Sequence, residues 1–309
     1  MNAIDVHSHV IPPFLVEELS KSGDLPPGLA LPAARGWTGT GTIEQMDQHG
    51  VAASVLSAIP LHSVLSRMEN RDVARMARHV NEFVTTLRQD YQGRFGLFSF
   101  LPMPDVELSL VEIEYSLDTL KANGVGLFTT YGDQSIADPA FFPVLEELDR
   151  RKAVVFCHPD LPNCCGKIDG AMGYPYDTGR AVFGLLLKGT FNRYPRIRWI
   201  FCHGGGPVPV LAGRLREMTR AMPVLKDVAP KGIDYELQRL YYETGNAANS
   251  PSMSALLDYV PLSQLLFGTD APYFGLDTNL TTLRANRLSS AQLEAIEYGN
   301  ALKLIPGLQ

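Results

Sequence analysis

This 309-residue sequence lacks several features that are typical of other classes of protein. It contains no run of Lys or Arg and its formal net charge is -6, so we expect no nucleic-acid partner, because phosphate-binding surfaces are strongly basic. Its longest apolar runs, such as 181–187, are far shorter than the roughly 20 residues that span a bilayer. The first residues lack the basic and apolar regions of a signal peptide. We therefore expect a soluble protein with a small-molecule partner and no membrane contact.

Cysteine is scarce as well. Four are present, at positions 157, 164, 165 and 202, too few for a disulfide framework in a chain of this length. Cys164 and Cys165 are adjacent, a spacing that is awkward to bridge. We therefore expect the reducing environment of the cytoplasm. Cys157 and Cys202 each precede a histidine at a predicted strand end, so alternation predicts that both thiols face the surrounding helices and pack in the core.

The sequence is rich in alternating strand and helix patterns. Apolar residues make up 45% and charged residues 19%, a balance typical of a globular protein with a substantial core. Apolar, β-branched runs alternate with amphipathic stretches of helical period, as in repeated βα units. Eight strands are predicted, at 4–7, 52–59, 95–100, 125–129, 153–157, 197–202, 240–243 and 265–268. With the chain length, this pattern predicts one α/β domain over residues 1–309, a (β/α)8 TIM barrel.

Two long loops are predicted to be inserted in this barrel, and one alternative fold remains open. The stretch 23–41, rich in Pro and Gly, follows strand one, and the stretch 161–177 follows strand five. Long loops at the C-terminal face of a barrel usually carry function. The alternative is an open doubly wound sheet. However, its Gly-x-Gly-x-x-Gly turn is missing, and His-Ser-His stands at the end of the first strand instead.

Four of the seven histidines stand at the ends of predicted strands, where barrel enzymes place their chemistry. His7 and His9 are two residues apart, so on an extended chain both side chains point to one face and can chelate one ion. His158 and His203 follow strands five and six, and Asp270 follows strand eight. Imidazole nitrogen and carboxylate oxygen are ligands of zinc and other first-row divalent metals. The pattern therefore predicts a metal shell of His7, His9, His158 and Asp270 with one position left open.

Other residues near strand ends are weaker candidates. Tyr131 and Asp133 follow strand four, and Glu243 ends strand seven, so each is placed to face the same site. Tyr131 is the one we assign to the substrate. The three glycines at 204–206 either cradle an anion at a helix N-terminus or form a tight turn, and the sequence leaves both alternatives open.

Four motifs give the chain a family resemblance. They are Asp-Val-His-Ser-His at 5–9, Phe-Cys-His-Pro at 156–159, Phe-Cys-His-Gly-Gly-Gly at 201–206 and Phe-Gly-Thr-Asp at 267–270. They resemble the amidohydrolase-related decarboxylases, a branch that contains aminocarboxymuconate semialdehyde, resorcylate and methylsalicylate decarboxylases. The resemblance runs nearly end to end. Segments 117–121 and 151–156 look closest to the 6-methylsalicylate decarboxylases.

The resemblance implies a role for each residue of the predicted site. His7, His9, His158 and Asp270 match the metal ligands of the family. His203 matches the histidine that holds or activates the metal-bound water or the substrate, and Asp270 is also a candidate proton carrier. The resemblance therefore implies that His203 and Asp270 are the catalytic residues.

The resemblance also implies how the substrate carboxylate is held. Arg214 matches an arginine that reaches the substrate of a neighbouring subunit, which implies a homodimer or a larger homo-oligomer; an ordinary helix-surface arginine is the alternative. A further carboxylate-binding arginine of the family has no clear match, although Arg35 is available on the loop after strand one. The family often has an aromatic residue after the strand-eight aspartate, where this chain has Ala271.

The leading hypothesis is non-oxidative decarboxylation of a small aromatic acid with an ortho hydroxyl, similar to 6-methylsalicylate. Asp270 or His203 would protonate the ring carbon as carbon dioxide leaves. Hydrolysis of a lactone or amide by a metal-activated water is the second hypothesis. A non-catalytic binding module is the third, and the complete ligand set argues against it. Binuclear amidohydrolases often have a bridging lysine after strand four, and none lies at 128–131. We therefore expect one Zn²⁺ or Mn²⁺ and no organic cofactor.

Overall fold

The computed structural model describes residues 3–21, 32–61, 65–160 and 171–308. Eight parallel strands follow one another around a sheet in chain order. They are β1 (Ala3–His9), β2 (Val51–Ser57), β3 (Phe95–Phe100), β4 (Gly124–Phe128), β5 (Val154–His158), β6 (Arg198–Phe201), β7 (Tyr241–Glu243) and β8 (Leu265–Leu266). Every predicted strand is present, and each end lies within two residues of its predicted position.

The sheet closes on itself through the chain that follows β8. The Val6 N–H donates to the Phe267 carbonyl at 3.0 Å, and the His9 N–H donates to the Ala271 carbonyl at 2.7 Å. Ser8 and Ala271 pair as in a parallel strand. The fold is therefore the (β/α)8 TIM barrel that the pattern predicts, and the open doubly wound alternative is wrong.

Helices connect the strands and cover the outside of the barrel. They are α1 (Pro13–Lys21), α2 (Pro32–Arg35), α3 (Gly39–His49), α4 (Asn70–Asp90), α5 (Val106–Glu114), α6 (Phe142–Arg150), α7 (Gly173–Leu187), α8 (Thr190–Arg193), α9 (Val208–Ala221), α10 (Val224–Val228), α11 (Ile233–Gln238), α12 (Ser250–Tyr259), α13 (Leu276–Arg284), α14 (Ser290–Glu294) and α15 (Asn300–Leu304). On α4, buried apolar residues recur every three or four positions, so one face packs against β3. Among the described residues, no helix combines the length and apolar character needed to cross a membrane.

The predicted loop at 23–41 lies partly outside the described residues, which omit 22–31. In the described part, the loop prediction is wrong. Residues 32–35 form α2, and α3 begins at Gly39. The Thr38 side chain accepts a hydrogen bond from the Gly41 N–H at 3.0 Å. This N-cap starts the helix despite the low helix propensity of glycine.

The predicted loop at 161–177 is also wrong at its C-terminal end, while 161–170 lies outside the described residues. Helix α7 begins at Gly173, inside the stretch predicted to be a loop. Pro175 lies in the first turn, where a backbone N–H has no intrahelical partner, so proline is tolerated there.

The lower part of the barrel interior is apolar. Eight buried residues from six strands pack together and are called the apolar floor below: Ile4, Val6, Val55, Phe98, Val154, Phe156, Ile200 and Leu266. Ala301 and Leu304 of α15 pack on the same cluster and close this end of the barrel. Burial of this apolar surface stabilises the barrel beneath the polar residues at the C-terminal strand ends.

Candidate metal centre

His7 and His9 face the barrel interior because β1 contains a bulge. Asp5 pairs with Ser54 and Ser8 pairs with Leu56, so three steps along β1 correspond to two steps along β2. Val6 belongs to the apolar floor, so regular alternation would turn His7 outward. The extra residue reverses the alternation and directs His7 and His9 to the interior.

Four side chains meet on this face. The Nε2 atoms of His7 and His9 are 3.3 Å apart, and Asp270 Oδ1 lies 3.3 Å from the first and 3.1 Å from the second. The ring of His158, on β5, is centred 4.9 Å from the ring of His9. One ligand atom from each of the four residues lies within 4.8 Å of the others. The structure thus brings together, in a buried position, all four residues of the predicted metal shell.

The donor set fits a divalent cation. His158 Nδ1 lies 2.7 Å from the Pro159 carbonyl oxygen, so this nitrogen carries the proton and Nε2 presents a lone pair. That Nε2 is buried and has no hydrogen-bond partner among the described residues. Burial lowers the pKa values of His9 and His158, which favours the neutral imidazole that binds metal. Three imidazoles and one carboxylate match the ligands of catalytic zinc and related ions.

The electrostatic environment of the cluster also favours a bound cation. Burial acts to lower the pKa of His7, but attraction by Glu243 and Asp270 raises it to about 10. Burial acts to raise the pKa of Asp270, but attraction by His7 and hydrogen bonds from the histidines hold it well below its usual range. The carboxylates therefore favour a positive charge among the ligand atoms, which a bound metal ion would provide in place of the proton.

Asp270 and His203 reach the site through left-handed backbone. The φ angle is 65° at Asp270 and 54° at His203, a conformation that costs roughly 1 to 3 kcal/mol for a residue with a side chain. Asp270 Oδ2 accepts a hydrogen bond from Asn246 Nδ2 at 3.0 Å and lies 3.6 Å from His203 Nε2. One carboxylate therefore joins the ligand cluster to His203.

The predicted core packing of Cys202 is confirmed, but its predicted orientation toward the helices is wrong. Cys202 packs with the apolar floor inside the barrel, and its thiol donates to the Cys157 carbonyl at 3.3 Å. Cys157 packs in the separate core cluster shared with the helices, as predicted. Alternation along β6 turns Ile200 and Cys202 inward, so the next residue, His203, would point outward in regular strand geometry. The left-handed backbone of His203 itself directs its ring to the interior instead.

The glycines at 204–206 form a tight turn. All three have positive φ, and added Cβ atoms would lie 1.9 Å from the Pro175 carbonyl oxygen at Gly206 and 2.6 Å from the Tyr242 ring at Gly205. The N–H groups of Gly205 and Gly206 donate to backbone carbonyls three residues earlier. Because those donors are already used, the geometry favours the turn over the anion cradle.

Comparison with known proteins agrees with this geometry. A family model described as amidohydrolase matches residues 4–307. The chain belongs to the amidohydrolase family. This amidohydrolase is 33% identical to "Decarboxylase yanB" of Aspergillus niger, over 100% of this chain and 89% of that protein. It is 32% identical to a 6-methylsalicylic acid decarboxylase of Penicillium expansum, over 100% and 98% of the two chains.

The fold also matches solved structures. One is a dihydroxybenzoic acid decarboxylase from Polaromonas, solved with bound manganese and the inhibitor 2-nitroresorcinol. The TM-score is 0.84 at 19% identity, and 99% of this chain and 97% of that chain are covered. At this level of identity the match supports the barrel architecture.

None of the predicted substrate-binding residues of this amidohydrolase belongs to the ligand cluster among the described residues. The Tyr131 hydroxyl is buried and accepts a hydrogen bond from the Phe128 N–H at 2.9 Å, and the ring lines a cavity of about 230 Å³. Arg35 is exposed at the end of α2, Arg214 is exposed on α9, and Asp133 is exposed after β4. A role of Tyr131, Arg35 and Arg214 in substrate binding stays a prediction, as does the expectation that Asp133 faces the site.

Several residues that contact the cluster were not predicted from the sequence, among them Asn246 and Tyr273. Asn246 follows β7, has a φ of 56° and donates to Asp270, and nothing in the sequence pattern marks it. Tyr273 packs against His9 with ring centroids 5.7 Å apart. The expected aromatic residue after Asp270 is replaced by Ala271, and a search two residues further along the chain would have found Tyr273.

Glu243, at the end of β7, faces the site, as its position in the sequence indicates. It is fully buried and contacts both His7 and His203. Burial acts to raise its pKa, but attraction by His7 and a hydrogen bond from it hold the pKa below the usual value. The buried side chain is therefore a carboxylate.

Proposed function

We propose that this amidohydrolase is a metal-dependent decarboxylase of small aromatic acids with an ortho hydroxyl, of the 6-methylsalicylate type. The observation that carries the proposal is the position of Asp270, whose Oδ1 belongs to the ligand cluster while Oδ2 lies beside His203. A cation-binding group and a proton-carrying side chain are thus adjacent. Two relatives named decarboxylases, one of them for 6-methylsalicylic acid, support decarboxylation over hydrolysis.

In this proposal the chain's own residues handle the proton. A divalent ion held by His7, His9, His158 and Asp270 would supply the positive charge that binds the carboxylate and phenolate of the substrate. His203 Nε2, 3.6 Å from Asp270 Oδ2, would hold a proton and give it to the ring carbon as the bond to the carboxylate breaks. The proton takes the place of carbon dioxide on the ring, so the reaction needs neither an oxidant nor an organic cofactor.

We propose one zinc or manganese ion per chain. Nitrogen and carboxylate ligands suit either metal, and the Polaromonas structure contains manganese. Cys157 and Cys202 are free thiols, which fits the reducing cytoplasm that we propose as its compartment.

A substrate panel tests the proposed reaction. Enzyme loaded with Mn²⁺ or Zn²⁺ is incubated with 6-methylsalicylate, salicylate, 2,6-dihydroxybenzoate and two aromatic lactones, and released carbon dioxide and phenolic product are measured. We expect equal amounts of carbon dioxide and phenol from at least one ortho-hydroxy acid. The matched control is the meta-hydroxy isomer of each acid, which lacks the second metal-binding oxygen and should not react. Acid release from a lactone without carbon dioxide would favour the hydrolase instead.

We also propose that the working enzyme is a homo-oligomer in which Arg214 completes the site of a neighbouring subunit. Arg214 is exposed on α9 and makes no ion pair with any residue that the structure describes. The same helix carries three exposed apolar residues, Val210, Leu211 and Met218, and the exposed Met222 directly follows it. An exposed apolar helix face with a central arginine has the composition of a subunit interface.

Replacement of Arg214 tests this part of the proposal. Arg214→Met should lower kcat/KM for a carboxylate substrate by the equivalent of roughly 2 to 5 kcal/mol, the usual loss when one partner of a buried charge pair is truncated. Arg220→Met, on the same helix and paired with Glu217 at the surface, is the control and should leave kinetics unchanged. Light scattering at the assay concentration should show a dimer or larger. A fully active monomer, or an Arg214→Met enzyme with unchanged kinetics, would return Arg214 to the ordinary helix surface.

A further inference from the structure

We propose that Glu243 is a positioning residue that holds both a metal ligand, His7, and the catalytic histidine, His203, in their working geometry. The inference rests on the proposed metal site but not on the identity of the substrate. Glu243 is at the end of β7, between β6, which precedes His203, and β8, which precedes Asp270. Its carboxylate therefore reaches residues that arrive at the site from different strands.

Both oxygens of the Glu243 carboxylate accept hydrogen bonds. Oε1 accepts from His7 Nδ1 at 3.0 Å and from the backbone N–H of His203 at 2.6 Å. Oε2 accepts from the backbone N–H of Gly245 at 2.5 Å. The side chain is fully buried, so these three donors take the place of water around the charge.

The bond to His7 decides which nitrogen of that ring binds metal. A carboxylate can only accept, so the proton of the neutral ring lies on Nδ1. The lone pair then lies on Nε2, the atom that is 3.3 Å from both His9 Nε2 and Asp270 Oδ1. A carboxylate that fixes the tautomer and orientation of a metal-binding histidine also makes that ligand more basic.

The bond to His203 stabilises an unfavourable backbone. His203 has a φ of 54°, and a side-chain-bearing residue adopts this conformation only when its surroundings favour it. The 2.6 Å hydrogen bond from its N–H to Glu243 is charge-assisted and supplies such a constraint. Glu243 thus fixes the turn from which the His203 ring reaches Asp270.

Two glycines leave room for this carboxylate. A Cβ at Gly268 would lie 1.9 Å from Glu243 Oε2, and a Cβ at Gly245 would lie 2.7 Å from the same atom. Neither glycine has the positive φ that otherwise requires glycine. A Cβ would also lie 2.9 Å from His7 Cβ at Gly268 and 3.2 Å from His7 Nδ1 at Gly245, so glycine at both positions leaves room for the hydrogen-bonded pair of Glu243 and His7.

The substitution Glu243→Gln tests the proposal because an amide cannot satisfy all three donors. If the amide nitrogen takes the place of Oε2, it faces the Gly245 N–H. If it takes the place of Oε1, it faces the His203 N–H and drives the His7 proton to Nε2, where it blocks the metal. We expect the Kd for Mn²⁺ to rise roughly 10- to 100-fold, measured by electron paramagnetic resonance of free Mn²⁺. The visible spectrum of the Co²⁺-loaded protein should change as well.

A second measurement separates the two bonds. The hydrogen bond from the His203 N–H loses its charge assistance in one orientation of the amide and is lost altogether in the other, so at saturating Mn²⁺ kcat should still fall about tenfold or more, with little change in KM. Full recovery of kcat at saturating Mn²⁺ would overturn the assignment to His203. The matched control is Glu112→Gln, a buried glutamate that accepts from Asn81 and Arg78 outside the barrel. It should keep the wild-type Kd and Co²⁺ spectrum.

A glycine variant keeps the proposal testable if Glu243→Gln does not fold. Gly245→Ala leaves the charge but displaces the carboxylate, so we expect the same weakening of Mn²⁺ binding. Gly213→Ala, which adds a Cβ with nothing within 4 Å, is its control. Wild-type Kd and Co²⁺ spectrum in both Glu243→Gln and Gly245→Ala would overturn the inference. The Kd for Mn²⁺ and the Co²⁺ spectrum need no substrate, so failure of every aromatic acid in the substrate panel would sink the proposed function and leave the result for metal binding intact.

Discussion

Above the apolar floor lies a second layer, called the ligand layer below, that consists of the four residues of the ligand cluster with His203 beside them. The two layers lie on the same strands, yet one is apolar and the other is polar. On β5, Val154, Phe156 and His158 are each two residues apart and face the same side of the strand. The first two belong to the floor, and the third belongs to the ligand cluster. The floor gains free energy from the burial of apolar surface. The ligand layer buries polar groups, which cost free energy until each is paired. Apolar burial in the floor therefore stabilises the folded barrel and offsets the free-energy cost of burying the polar ligand layer.

The two layers also differ in how closely they follow strand periodicity. On β1 and β5, each of which contributes two residues to the floor, these residues are two positions apart, as regular alternation requires. In the ligand layer, regular alternation suffices for His158, whereas His7 requires the bulge in β1. His203 and Asp270 require left-handed backbone. Irregular backbone concentrates where the chemistry lies, as expected if function rather than stability selects these conformations.

Removal of a ligand from the ligand layer should have the largest effect. His158→Ala deletes the ring whose Nε2 has no other partner among the described residues, so we expect the purified protein to lose both its metal and its activity. Metal content after dialysis and carbon dioxide release are the measurements, and chelation of the wild type should have the same effect. His79→Ala, an exposed ring stacked on Phe14, is the control. A His158→Ala enzyme that keeps about one ion per chain would contradict the ligand role.

The loss of His203 should affect the same layer more selectively. Because its Nε2 lies near Asp270 Oδ2 and outside the four-residue ligand cluster, His203→Ala should keep its metal. We expect kcat to fall about 10²- to 10⁴-fold, the range for loss of a general acid. Metal content and kcat are measured on one preparation, beside His158→Ala. Equal metal content in the two variants would show that the separation between ligand and proton carrier is wrong.

Much of this architecture follows from sequence because the dominant signals are local and periodic. Eight apolar runs predicted eight strands, and residues placed at strand ends predicted the cluster, because parallel strands bring their C-terminal ends to one face. His158 shows the rule at its simplest. Its strand runs regularly to the last residue, so its position in sequence is enough to place its side chain.

The remainder depends on long-range contacts that one sequence does not display. The bulge in β1 is a feature of its pairing with β2. The outward orientation predicted for Cys202 was wrong because packing in the floor determines which residues of β6 face the barrel interior. Asn246 and Glu243 contact their partners across strands. Neither Arg35 nor Arg214 belongs to the ligand cluster among the described residues, so their roles stay predictions.

The smallest effect on chemistry should come from the floor, even though its effect on stability is substantial. Val55, on β2, is fully buried in the apolar floor. Val55→Ala should lower the free energy of unfolding by about 1.5 to 3 kcal/mol, since it removes buried methyl groups and leaves a cavity. Val111→Ala, the same change at a residue that is 59% exposed on α5, should change it by less than about 0.5 kcal/mol.

This pair of variants tests whether the two layers are energetically separable. Urea unfolding is measured on metal-free protein, because bound metal would stabilise the folded state by mass action and obscure the difference. The Kd for Mn²⁺ and the kcat are then measured under conditions where both variants are folded. Sites that share no partners usually contribute additively, so Val55→Ala should match the wild type in both quantities. If it instead weakens metal binding by as much as a ligand variant, the floor sets the geometry of the ligands directly, and the boundary between a supporting layer and a chemical layer does not exist in this barrel.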